Sequence, residues 1–169
     1  MPANKKKSRP TCSHTLKRRH LTRELLLPLS SAKAQALSLE HHLALVTLRS
    51  GQASVDLVAR LFNAIGAARF LHEAAHGRES PEQVRFEVAG QALLECASRI
   101  RDGQSAPLSE ADLALLEQMV TLHDAQMTIT PLHELQAARR RVDRWLTQCQ
   151  QLDAMTGWHT GGGLTSSND

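Results

Sequence analysis

Residues 70–78 read FLHEAAHGR, and within them His72, Glu73 and His76 have the spacing of the His-Glu-x-x-His signature of zinc peptidases. Histidines four apart sit one helical turn from each other, so both imidazoles can face one ion. The glutamate between them can then polarise a metal-bound water. A zinc-dependent hydrolase built on this motif is therefore one expectation. Three features weigh against it. Gly77 stops the helix at once, and no H-x-x-G-x-x-H extension follows to supply a third ligand. Arg78 stands where such peptidases usually carry an apolar residue, and no strand pattern is present to hold a substrate.

Other groups are positioned to join these histidines. At about 100° per residue, His72 and His76 continue the face of Val58, Leu61, Phe62, Ile65 and Ala68, and Arg69 shares it. His123 extends the stripe of Leu113, Leu116 and Val120, with Asp124 beside it, while His42 falls on the apolar side of an earlier helix near its start. In an up-and-down bundle these points come to the same pole. His42, Arg69, His72, His76, His123 and Asp124 are thus expected to converge. Zinc held by His72, His76 and His123 is one outcome, and a pocket for a small ligand or anion is a second. A bundle end capped by histidines bonded to backbone and water is the third.

The elements that would carry them are helices. Hydrophobic residues make up 41% of the 169-residue chain, but aromatic residues only 3%, with no tyrosine. The core must therefore be built from Leu, Ala and Val, and Leu and Ala favour helix. A short helical or irregular piece is expected near Leu21–Leu29, then a helix capped by Ser38 and ended by Gly51. A second helix runs from about Ala53 to His76, where Gly77 ends it. Ser80-Pro81-Glu82-Gln83 has the form of a capping box and opens a third, which reaches Gly103. Ser109 opens a fourth, and Thr130-Pro131 a fifth with Leu135, Ala138, Val142, Trp145, Leu146 and Cys149 in line. The fold class is all-α, a single up-and-down bundle of about five helices over 21–155. Residues 1–20 are expected to form a disordered basic arm, and 156–169 a loose Gly/Ser tail.

Charge is divided unevenly. Up to Arg23 the chain carries eight basic residues and no acid, so the remainder of this chain of net charge +3 carries −5. A basic arm on an acidic body can hold nucleic acid by releasing counterions. Lys5, Lys6, Lys7, Arg9, Lys17, Arg18 and Arg19 are its candidate contacts, joined by Arg140 and Arg144, an i, i+4 pair on the fifth helix. A solvated tail and a solvated helix face account for the same residues. No helix-turn-helix is visible, since Gly66 and Gly90 each lie inside a long periodic helix. Cys12, Cys96 and Cys149 are odd in number and widely spaced, as in reduced cytosolic proteins. Arg23 and Glu24 interrupt the apolar segment that a secretory signal would need, and nothing approaches a membrane span of about 20 residues. A cytoplasmic location without a membrane partner is expected.

The run LSLEHHLALVTLRSGQASVDLVARLFNAIGAARFLHEAAHG, followed by LHDAQMTITPLHEL, resembles a group of small bacterial helical proteins. They carry a related L-E-x-H-L-A-L…R-S-G block and a later L-H-D-x-Q…P-L-H block, and some are labelled Fis-family transcriptional regulators. The resemblance covers roughly Leu37–Leu135 and implies a regulatory, DNA-associated role. Fis-type proteins end in a helix-turn-helix, which this chain lacks. The leading expectation is a non-enzymatic regulator or adaptor with DNA or a protein as partner. A helical interaction module, homodimeric or partner-binding through a leftover apolar stripe, stands beside the hydrolase as an alternative.

Overall fold

A computed structural model describes residues 21–104 and 107–156. Six helices account for almost all of them: α1 Arg23–Leu26, α2 Ser31–Arg49, α3 Val55–His76, α4 Pro81–Arg101, α5 Glu110–Ile129 and α6 Leu132–Thr156. Among the described residues there is no strand, so the all-α expectation holds. Five helices are long, and the sixth is a single turn near the N-terminal end. None is long and apolar enough to cross a membrane. The basic arm and the Gly/Ser tail lie outside the described residues.

Several ends follow from local chemistry. Ser109 Oγ accepts the Asp112 N–H at 3.0 Å and so caps α5. Ser54 does the same for α3 by accepting from Leu57 N–H at 3.3 Å. Gly77 closes α3 with φ +83, a backbone region that costs glycine little, and its N–H reaches Glu73 O at 2.9 Å. The start of α2 differs from expectation. The helix begins at Ser31, not after Ser38, because SAKAQA is good helix-forming sequence and Ala34 buries against Ala67, Leu71 and Leu135. Ser38 lies inside the helix and donates its hydroxyl to Asp124 on α5 at 2.8 Å.

α3 is the central element, packed against α2, α4, α5 and α6 at once. Small residues make this possible, with Ala64, Ala67 and Ala68 all buried along it. The main core joins Leu45, Leu48, Leu61, Ile65, Phe86, Leu93, Leu116 and Val120, and is aliphatic apart from Phe86. α6 returns to α3, while α1 is held against α6 by Leu132 N–H to Leu27 O at 2.9 Å and by His133 Nδ1–H to Leu25 O at 2.8 Å. The apolar stripe of α6 is only partly interior. Leu135, Ala138 and Val142 are buried, but Trp145 is 37% exposed and Cys149 half-buried.

The α3–α6 contact is close. A Cβ placed on Gly66 would lie 3.0 Å from Cγ2 and 3.3 Å from Cγ1 of Val142, a buried residue with restricted rotamers. Gly90 on α4 is different, since a Cβ there meets only Phe62 Cε2 at 3.7 Å, ordinary contact. Alanine at either site adds about 1 kcal/mol of helix propensity. At Gly66 the overlap outweighs that gain, and Gly66→Ala is expected to destabilise by about 1–3 kcal/mol. Gly90→Ala should stabilise by about 0.5–1 kcal/mol. Urea midpoints of both variants test this, and an equal gain from each would contradict the close approach.

Candidate functional site

The His-Glu-x-x-His segment forms the last turns of α3, and each of its three polar side chains has a partner within the fold. His72 is 7% exposed, and its Nε2 lies 2.8 Å from Ser80 Oγ, with Glu82 carboxylate 3.9 Å away. His76 stacks on it, ring centroids 4.3 Å apart and planes inclined 17°, and donates from Nδ1 to His72 O at 3.3 Å. Glu73 Oε1 accepts from Arg78 Nε at 2.9 Å and from Arg141 Nη2 at 3.0 Å. The Arg78 and then the Arg141 hydrogen bonds hold its carboxyl below the ordinary value. Arg141 also lies over the Phe70 ring at 4.1 Å. Glu73 is therefore an anion that ties α3, the α3–α4 turn and α6 together.

This arrangement does not suit a catalytic zinc. Two rings in near-parallel stack direct their in-plane lone pairs side by side instead of toward one ion, and His72 Nε2 is engaged by Ser80. A general base needs a carboxylate with its pKa raised toward neutrality, whereas Glu73 is shifted the other way. His123, the expected third ligand, makes a separate set of contacts on α5. Among the described residues no group of three His, Cys, Asp or Glu gathers in metal-binding geometry. The capping box is also absent. Ser80 turns its hydroxyl to His72 and caps α4 with no side-chain bond, while Gln83 is buried with Oε1 unpartnered.

Five of the six expected pole residues divide into three local groups, and His123 stands apart from them. His42 Nε2 pairs with Asp124 Oδ2 at 2.9 Å between α2 and α5, near the surface. Arg69 Nη2 donates to Glu87 at 2.7 Å between α3 and α4. His72 and His76 form the third, at the end of α3. The placement of His42 is corrected by one residue: its side chain is 45% exposed, and the neighbouring His41 is the buried one at 8%. The reason lies in α2 itself. Ala34, His41, Ala44, Leu45 and Leu48 face inward, but Leu39, Leu43 and Val46 form a second apolar row that faces solvent. Either face reads as a core face.

Among the described residues His123 is the most deeply placed polar group, fully buried with neither ring nitrogen in a hydrogen bond to another of them. Its ring is 5.8 Å from that of His41. Burial first, then His41, pushes its pKa down to about 4. Gln126, which donates to Ala68 O at 3.2 Å, lies beside it and opposes the shift. Burial lowers His41 and His72 in the same direction.

Two clefts open next to α3. One, of about 210 Å³ between α3, α4 and α6, is lined by Phe62, Phe70, Phe86 and Trp145. Trp145 stacks on Phe62 with centroids 5.7 Å apart. These are four of only five aromatic residues in the chain. Composition alone does not reveal this, although glycines at 66 and 90 beside the phenylalanines were a signal of local room. The other cleft, about 370 Å³, lies between α2, α3 and α6 with His41 in its wall. Arg140 and Arg144 are exposed on α6 without an ion pair among the described residues. The seven arm residues named from sequence fall outside those residues.

Comparison with protein-family models, with curated proteins and with solved structures gave no match.

The buried histidines make stability depend on acid. His123 titrates near 6.5 when unfolded and near 4 when folded. Between those values the unfolded chain binds the proton and the folded one does not, so stability is full above about pH 6.5 and declines toward pH 4. The loss from His123 is on the order of 3 kcal/mol, with His41 and His72 acting in the same sense. His123→Leu, which removes an unpartnered polar group, should match or exceed the parent at pH 7 and flatten this decline. Denaturant midpoints from pH 7 to 4 provide the check, and an unchanged slope in the variant would assign the proton uptake elsewhere.

Proposed function

We propose that the protein is a non-catalytic regulatory adaptor that takes an apolar anchor residue of a protein partner into the aromatic cleft and holds DNA through its basic arm. The observation that carries this reading is the gathering of four of five aromatic residues around one opening. Aromatic side chains bury large areas and dominate interface energetics. Its volume of about 210 Å³ is below the roughly 300–1,000 Å³ of small-molecule sites, and suits a single bulky side chain. Exposed Leu94 and Trp145 widen the apolar mouth, and the Arg69–Glu87 ion pair supplies a polar rim. By contrast, His72, Glu73 and His76 each commit a polar atom to a contact within the fold.

The DNA part rests on charge. Seven basic residues without an acid precede residue 21, on a body of opposite sign, and Arg140 and Arg144 extend the basic character to α6.

The two parts are tested separately. Peptides selected from a displayed random library should share a bulky apolar anchor. They should lose binding to Gly90→Leu, whose added side chain fills the cleft while the helix keeps or gains stability. Peptides that bind the variant as tightly as the parent would sink the cleft assignment. Duplex DNA binding should weaken by about a hundredfold or more between low and physiological salt, and deletion of residues 1–20 should abolish it. Unchanged affinity of the truncated chain rules out the arm.

A further inference from the structure

The second cleft carries a different chemistry. Four charged side chains ring it, Glu40 from α2, Arg60 from α3, and Arg139 and Asp143 from α6. They are two of each sign. None of the four is in an ion pair or side-chain hydrogen bond with another described residue, although Arg139 and Asp143 stand one turn apart on one helix. Elsewhere α6 uses its arginine differently, for Arg141 is locked on Glu73. His41 contributes to the wall as a residue more than nine-tenths buried. Its Nδ1 is sealed in the interior without a partner, and neither ring nitrogen bonds a described protein group. Asn63 adds a neutral polar group, and the rest of the wall is apolar, from Leu37, Ala64 and Val142.

We infer that this cleft binds a small zwitterion of the α-amino-acid class with an aliphatic side chain. A guanidinium presents paired N–H donors that match a carboxylate, so Arg60 and Arg139 from facing helices recognise the acid end. Glu40 and Asp143 offer acceptors to an ammonium, and a ligand of one sign alone would leave one pair of charges facing its own kind. The apolar wall receives the side chain. At about 370 Å³ the cleft lies near the lower end of the range for small-molecule sites, which suits a single amino acid. Its wall includes His41, whose ring meets His123 in the interior, so an occupant contacts the packing of α2 on α5. The inference is independent of the partner cleft and of DNA, and its test uses neither.

Calorimetric titration of the full-length protein with leucine, N-acetyl-leucine and leucinamide decides it. Leucine is expected to bind saturably, and each blocked analogue to bind about tenfold or more weakly. Arg60→Gln and Asp143→Asn, both exposed sites whose folding is followed by circular dichroism, should each lose leucine by a similar factor. Equal binding of leucine and N-acetyl-leucine would overturn the zwitterion assignment in favour of a plain anion site. Absence of heat with all three, or leucine binding unaltered by both substitutions, would overturn the site itself.

Discussion

One helix touched by four others constrains everything else in this molecule. α3 meets α2, α4, α5 and α6, and helix axes approach closely only where side chains are small. Gly66 and the alanines at 64, 67 and 68 meet that need. With its inner faces filled, α3 has few places for polar atoms, namely its C-terminal turn and the seams beside its neighbours. Both clefts are such seams. They flank the contact of α6 with α3 at Val142, toward α4 on one side and toward α2 on the other.

The same constraint explains why a motif with the letters of a metalloenzyme is put to structural use. The last turn of α3 must be joined to α4 and α6, and Glu73 does this by taking two arginines from different segments. His72 is bonded to Ser80 at the start of α4. Each contact satisfies a polar group that burial would otherwise penalise. His123 shows the opposite solution, an imidazole kept neutral by burial, at a cost that appears only in acid.

Scarcity of aromatic side chains makes their distribution informative. The core is filled mainly by Leu, Ala, Val and Ile, and among the described aromatics only Phe86 is fully interior. Phe62, Phe70 and Trp145 line the seam between α3, α4 and α6 at partial exposure.

Helix content and most helix ends were legible in the residues because those signals are local. Ser109 and Gly77 act within one turn of where they stand, and low β-branched and aromatic content excludes a sheet-rich fold at the level of propensity. Phase and partnership were not legible. α2 carries apolar residues on two faces, so nothing within it distinguishes a buried His41 from a half-exposed His42; contact with α3 and α5 decides. Ser80 has the neighbours of a capping residue, yet its hydroxyl goes to a histidine eight residues earlier, a partner that exists only once α3 and α4 have packed. The separation of His72 from the His41–His123 pair, and the gathering of four charges around one cleft, likewise depend on how helices lie against one another. Periodicity specifies which side of a helix is apolar, but not the rotation and height at which that side meets its neighbour.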